Sequence, residues 1–73
     1  MNKRESDLLL RFGQHFKMLR KKHGFTQESL SYASDITLSQ IARIETGKIN
    51  PTLCTILTLA KTMGADKRDL LDF

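Results

Sequence analysis

Apolar and polar positions recur along the chain with the period of α-helices, and no stretch alternates every second residue as a half-buried strand does. The first helix is expected over about Ser6–Lys22, with Ser6 as its cap. Its buried stripe is expected to consist of Phe12, Phe16, Leu19 and His23. Residues 1–5 carry no such pattern, and we expect them to form a loose arm.

A second, short helix is expected over about Gln27–Ser34, with Thr26 as its cap and with Leu30 and Ala33 facing inward. Ser29 stands at the position three residues after the cap, where glutamate or glutamine completes a capping box, so we expect no full capping box. Asp35 lies in the following turn and tolerates the left-handed backbone conformation better than most residues.

The third helix runs from Thr37, whose hydroxyl can cap the first turn, to Gly47, which can take the left-handed conformation that closes many helices. Ile41, Ile44 and Glu45 fall on one side of it, and Arg43 falls on the other. Such a helix suits insertion into a groove of DNA. Two short helices joined by so tight a turn predict a helix-turn-helix unit over about residues 26–46.

A fourth helix is expected over Leu53–Met63, after the cap Thr52 and before Gly64. Its apolar face comprises Leu53, Ile56, Leu57, Leu59 and Ala60. Asp66 then caps a last turn, Lys67–Leu71. The pattern as a whole predicts an all-α chain of five helices in one domain, residues 1–73.

Composition restricts the classes of function that the chain can have and leaves the predicted fold unchanged. Twelve Lys and Arg against eight Asp and Glu give a net charge of +4, which favours a polyanionic partner, although many small proteins are basic without binding nucleic acid. The single cysteine, Cys54, excludes an intrachain disulfide and is expected to be a small, partly buried apolar residue. No apolar run approaches the length of a membrane span, so we expect a cytoplasmic protein without a membrane partner.

The chain offers no constellation typical of catalysis. There is no paired-carboxylate arrangement, nucleophile motif or glycine-rich phosphate loop, so we expect no enzyme activity and no cofactor. His15 and His23 lie about two helical turns apart, too far to share a metal ion, and no metal site is expected.

Several motifs in fixed order resemble the helix-turn-helix domain of the phage repressor and Cro family, also called the xenobiotic-response-element type. They are Thr26–Gln27–Glu28, Leu30, Ala33, Ile36–Thr37, Ile41, Ile44–Glu45–Thr46–Gly47–Lys48 and Asn50–Pro51. The resemblance extends over about Phe12–Leu71. It implies a compact five-helix fold like that of lambda repressor, with the helix-turn-helix at helices two and three, and double-stranded DNA as the partner.

The resemblance also assigns roles to residues. By position, Leu38, Ser39 and Arg43 match residues that read bases in the major groove. Arg43 can pair with both acceptors of a guanine edge or can instead hold a phosphate, and Leu38 either contacts a thymine methyl or covers the core. Contacts to the DNA backbone are implied for Gln27, Thr37, Gln40, Thr46, Lys48 and Asn50, with Gln27 adding an amide donor at a helix N-terminus. The alternative for Asn50 is that it only shapes the turn before Pro51.

Arg20 and Glu45 match a family pair that forms an internal salt bridge between the first and third helices. An inward-facing charge requires a partner, which supports the pair. The alternative for Glu45 is a solvated carboxylate at the end of a helix.

The expected function is therefore a sequence-specific transcriptional regulator, a repressor or autoregulator that binds a palindromic operator as a homodimer. The dimer interface is expected at Leu70, Leu71 and Phe73, with help from Leu8–Leu10; the alternative is that these residues pack within the monomer. No small-molecule ligand is expected. The alternative is an antitoxin-like or adaptor module on the same fold, whose main partner is a protein.

Overall fold

The computed structural model describes residues 1–73 as five helices joined by short turns. They are α1 (Lys3–Lys22), α2 (Gln27–Ser34), α3 (Leu38–Glu45), α4 (Leu53–Met63) and α5 (Lys67–Leu70). The predicted all-α class, the number of helices and their order are confirmed. None of the five combines the length and the apolar character that crossing a bilayer requires.

The first helix starts at Lys3, so the prediction of a loose arm over residues 1–5 is wrong from that residue onward. The cap is Asn2 and not Ser6, because the Asn2 Oδ1 accepts a hydrogen bond of 2.9 Å from the Glu5 backbone N–H. The Ser6 N–H donates to the Asn2 carbonyl at 2.9 Å, as an N–H inside a helix does. Asparagine is one of the preferred capping residues, and Glu5 suits the positive end of the helix.

The core is a single cluster of ten buried apolar side chains drawn from every helix. Its members are Phe12, Phe16, Leu19, Leu30, Ile41, Ile44, Leu59, Ala60, Met63 and Leu70. Three of the four residues predicted for the α1 stripe are among them, while His23 is only half-buried at the end of the helix. The predicted glycine terminator Gly64 follows α4 at φ 77°, in the left-handed region.

Four residues predicted to be inside are exposed. Ala33 is exposed because Leu30 alone is buried on the two-turn helix α2. On α4, Leu53 and Leu57 are 67% and 41% exposed. The buried side of α4 is defined by Leu59, Ala60 and Met63, and Leu57 lies about 120° around the helix from Met63. The thiol of Cys54 is also exposed rather than partly buried.

Two glycines bring α3 directly against α1. A Cβ atom added to Gly13 would collide with the Ile44 carbonyl oxygen and lie 2.7 Å from that of Glu45. Gly47, at φ 71°, would place a Cβ 2.9 Å from the Cα of Leu10. The C-terminal end of α3 therefore rests on the backbone of α1, and its position follows closely from that of α1.

The turn between α2 and α3 is held by local hydrogen bonds. Asp35 takes the left-handed conformation at φ 62°, as predicted, and is the one non-glycine residue with positive φ. The Ser31 hydroxyl donates to the Ile36 carbonyl at 2.6 Å. At the other end of α2, the expectation of an incomplete capping box is wrong. Ser29 takes the place of glutamate, because its short hydroxyl accepts from the Thr26 N–H at 2.9 Å.

Candidate nucleic-acid interface

α3 is fixed at its start by a cap and along one side by the core. The Thr37 hydroxyl accepts the Gln40 N–H at 3.1 Å, which confirms the predicted cap. Ile41 and Ile44 are at most 1% exposed and hold the helix to the body of the protein. With eight residues, α3 is too short to be stable alone, so this packing determines where its free side points.

A buried ion pair joins the end of α3 to α1, as predicted. The Arg20 Nε donates to Glu45 Oε2 at 2.6 Å, and the Arg20 Nη2 donates to Glu45 Oε1 at 3.0 Å. The two side chains are only 7% and 2% exposed. The Arg20 Nη1 also donates to the Phe25 carbonyl at 2.8 Å, so the guanidinium has partners on both edges. Glu45 is therefore not a solvated helix-end carboxylate.

Gln27 occupies a different place from the one expected for a free phosphate donor. Its Nε2 donates to Glu45 Oε1 at 3.0 Å, and the side chain is half-buried. The amide donor is thus directed at the ion pair, because a carboxylate with two oxygens has capacity for more than one donor. What remains at this end of α2 for an anion is the pair of main-chain N–H groups of Gln27 and Glu28. Phosphate contact here stays a prediction.

The opposite side of α3 is open to solvent and carries the three residues predicted to read bases. Leu38 is 42% exposed, and Ser39 and Arg43 are exposed as well. The Arg43 guanidinium takes part in none of the three ion pairs in the chain and makes no hydrogen bond within it. The structure therefore brings Leu38, Ser39 and Arg43 together on one helix, with the longest donor free.

The residues predicted to contact the DNA backbone flank this surface. Some of their side chains are held by hydrogen bonds within the chain, and others are free. The Thr46 hydroxyl donates to the Ala42 carbonyl at 3.0 Å, and the Thr37 hydroxyl is the cap. Gln40 is half-buried. Lys48 and Asn50 are exposed in the loop after α3, and the Lys48 N–H donates to the Arg43 carbonyl at 2.8 Å. Lys48 therefore offers a free cation on a loop whose start is fixed.

The predicted dimer contacts at the C-terminus divide into two kinds. Leu70 is fully buried in the core of the chain, so its assignment to an interface is wrong. Its neighbour Leu71 is 65% exposed. The Phe73 ring packs edge-on against Phe12, with centroids 5.4 Å apart, and remains 40% exposed.

Sequence reasoning missed two features of this region. One is the link from Gln27 to Glu45, which lie 18 positions apart and which no local pattern connects. The other is a row of exposed cations, Lys3, Arg4 and Arg11, on the outer side of α1. The missed signal for this row was Asn2 followed three residues later by Glu5, which marks a helix start early enough to align the cations.

Comparison with known proteins shows that the chain is similar to helix-turn-helix regulators. The sequence profile of the helix-turn-helix family matches residues 16–70. Control protein C.BamHI of Bacillus amyloliquefaciens is 35% identical over 69 residues, which cover 93% of this chain and 85% of that protein. The HTH-type transcriptional regulator y4dJ of Sinorhizobium fredii is 32% identical over 59 residues, covering 81% of this chain and 77% of that one.

A solved structure is similar over most of the chain. The restriction-modification controller protein C.AhdI from Aeromonas hydrophila matches with a TM-score of 0.81 at 35% identity. The match covers 86% of this chain and 96% of that chain.

Proposed function

The chain belongs to the Cro and phage-repressor type of helix-turn-helix family, whose members are DNA-binding transcriptional regulators and not enzymes, and from this membership we propose that it is a repressor or autoregulator. In this proposal it binds a palindromic operator as a homodimer. The observation that carries the proposal is the division of α3 into a side anchored in the core and a free side with Leu38, Ser39 and Arg43.

We propose that the chain controls a restriction-modification system. C.BamHI is named a control protein and C.AhdI a restriction-modification controller, and the identity to each extends over most of both chains. In this proposal regulation responds to protein concentration, because dimerisation and operator binding both depend on it.

Base readout is assigned to the free side of α3. The Arg43 guanidinium has the fork geometry to donate to the O6 and N7 acceptors of guanine in the major groove. Leu38 can contact a thymine methyl, and Ser39 reads bases through short or water-mediated contacts. With one long donor per half-site, symmetry and the shape of the DNA supply much of the specificity.

Backbone contacts hold the helix in register. The Lys48 ammonium and the Asn50 amide lie on the loop after α3, where they can meet a phosphate beside the groove. Thr37, Gln40 and Thr46 complete the set on α3 itself, and the start of α2 offers the main-chain N–H groups of Gln27 and Glu28. These contacts give affinity that falls steeply with salt but carry no sequence information.

The homodimer is proposed because one half-site offers too few base contacts. A twofold axis places the two α3 helices in successive major grooves, about 34 Å apart. Exposed Leu71 and Phe73 near the C-terminus are the apolar residues assigned to the contact, without Leu70.

Selection of bound sequences from a random DNA pool tests this proposal. We expect enrichment of an imperfect palindrome whose half-sites are separated by about one helical turn. Binding measured by fluorescence anisotropy is expected to weaken with salt by about one unit of log–log slope for each phosphate contact. A pool without any enriched sequence, or an affinity that does not respond to salt, would contradict the proposal and favour a protein-interaction module.

A further inference from the structure

An open depression lies on the outer side of α1 and is lined by Lys3, Arg4, Asp7, Leu8 and Arg11. We call this surface the basic face, since three of its five side chains are cationic. Every residue from Met1 to Leu8 is exposed, so the first turns of α1 extend beyond the core. Lys3 and Asp7 form a loose ion pair of 3.9 Å between solvated groups, and Arg4 has no ion pair in the chain.

The basic face does not point toward the candidate DNA interface. α3 lies against α1 at Gly13, where an added Cβ would strike α3 carbonyl oxygens. At about 100° per residue, Arg4 and Arg11 lie about 180° and 160° around α1 from Gly13, and Lys3 lies about 80° from it, on the flank. α3 and a duplex bound to it are therefore on the other side of α1 from Arg4 and Arg11. The cations of the basic face are exposed to solvent and free to contact another anionic partner.

The C-terminal residues 69–73, which we call the acidic turn, run beside the basic face. The Arg11 guanidinium carbon lies 5.7 Å from the centre of the Phe73 ring, and its Nη2 is 3.5 Å from the Phe73 carbonyl oxygen. One turn along the same side of α1, His15 Nε2 donates to the Asp69 carbonyl at 2.6 Å. These contacts hold the acidic turn along the edge of the basic face.

The acidic turn carries a charge opposite to that of the basic face, and its carboxylates are unpaired. Asp69 and Asp72 are exposed, and neither takes part in an ion pair. Exposed Leu71 lies between them in sequence, and Phe73 follows. The same side of the molecule thus presents apolar side chains with a cationic region next to an anionic region.

We propose that the basic face of one copy receives the acidic turn of a second copy, so that Lys3 and Arg4 meet Asp69 and Asp72. The proposal rests on the homodimer proposed above and names the charged surfaces that form it. A twofold axis makes any contact between two different patches occur twice, so neighbouring regions of opposite charge are complementary to themselves. Because both signs are present on this chain, charge complementarity selects a second copy over an unrelated anionic partner.

Charge reversal in sedimentation equilibrium without DNA tests the proposal. Lys3→Glu/Arg4→Glu makes both regions acidic, and Asp69→Lys/Asp72→Lys makes both basic. Each variant alone is expected to dimerise more weakly, by on the order of tenfold or more at low salt. An equimolar mixture of the two is expected to form a heterodimer, because each of its two contacts again pairs opposite charges. Combining all four changes in one chain is expected to restore the homodimer.

The matched control is Lys17→Glu/Lys21→Glu, which makes the same change in net charge elsewhere on α1 and is expected to leave the dimer unchanged. Circular dichroism checks that every variant is folded. The proposal is overturned if the native chain stays monomeric, if the reversals leave the dimer intact, or if the mixture fails to associate. It is also overturned if Leu57→Glu alone dissociates the dimer, since that places the interface on α4.

The sedimentation experiments contain no DNA, so a failure of the proposed contact between copies is distinguishable from a failure of the DNA-binding proposal. Operator selection with the native chain tests that proposal independently.

Discussion

Removing the buried carboxylate, in Glu45→Ala, is expected to cost about 3–5 kcal/mol of unfolding free energy. The charge of Arg20 then stays in a site where the pair is 7% and 2% exposed, without its two carboxylate hydrogen bonds. At roughly 0.05–0.15 kcal/mol per residue, 73 residues give a total stability of about 4–11 kcal/mol. The variant is therefore expected to lose much of its stability, and part of the population unfolds at room temperature if the native value is near the lower bound.

The matched variant is Arg20→Met/Glu45→Leu, which removes both charges and keeps apolar volume. Replacing a whole buried pair is often close to neutral, so we expect the double variant to be far more stable than either single variant. Urea unfolding followed by circular dichroism of the native chain, Arg20→Met, Glu45→Leu and the double variant gives the four free energies of the cycle, and the coupling energy is expected to be about 3 kcal/mol. Single losses below about 1 kcal/mol, or a double loss equal to the sum of the singles, would refute the reasoning.

Three further predictions concern packing, the Gln27 link and acid stability. Gly13→Ala is expected to lose about 1–3 kcal/mol by forcing α3 away from α1, although the same change at an open helix position gains up to about 1 kcal/mol. Gln27→Ala is expected to lose about 1 kcal/mol by leaving a carboxylate hydrogen bond unmade. Both are measured by urea unfolding. The Arg68 side chain, hydrogen-bonded to Asp66, lowers the pKa of that carboxyl to about 2, so its contribution is present above pH 4. It is expected to be lost as the pH falls from about 4 through 2, as measured by acid titration of circular dichroism.

Each of these predictions has a control. Gln14→Ala changes an exposed position of α1 and is expected to leave stability unchanged or raised. In a chain that lacks the buried ion pair, Gln27→Ala is expected to have little effect on stability. If it instead weakens DNA binding with unchanged stability, Gln27 contacts phosphate and does not position α3. The loss of stability on acidification is expected to be smaller in Asp66→Asn, and an unchanged loss there would assign it to other carboxyls.

Helix ends and the central core could be predicted because their causes are local. The caps Thr26 and Thr37 and the glycine at Gly64 are recognised from neighbouring residues alone, and their geometry is as expected. Helical spacing likewise identified Phe12 and Phe16, since large apolar residues one turn apart on a long helix form the stripe that faces the core.

Apart from the cap of α1 and the capping box of α2, whose signals are local and were overlooked, the errors arise where the arrangement of helices decides the outcome. Leu70 and Leu71 are chemically identical neighbours, yet one is fully buried and the other is 65% exposed, because the placement of α5 against the core determines which faces inward. Spacing alone also put Leu57 inside, although α4 turns that side to solvent. The Gln27 link needs α2 and α3 to be docked before it exists.

The most direct test of the central claim, that the free side of α3 reads DNA through Arg43, compares selections from a random DNA pool by the native chain and by Arg43→Ala. We expect Arg43→Ala to bind the native operator more weakly by about 1–3 kcal/mol and to lose its preference at one base position in each half-site, with the rest of the motif retained. Lys48→Ala is the control, expected to weaken all sequences alike and to lower the salt slope by about one. An identical selected motif for the native chain and Arg43→Ala would contradict the claim.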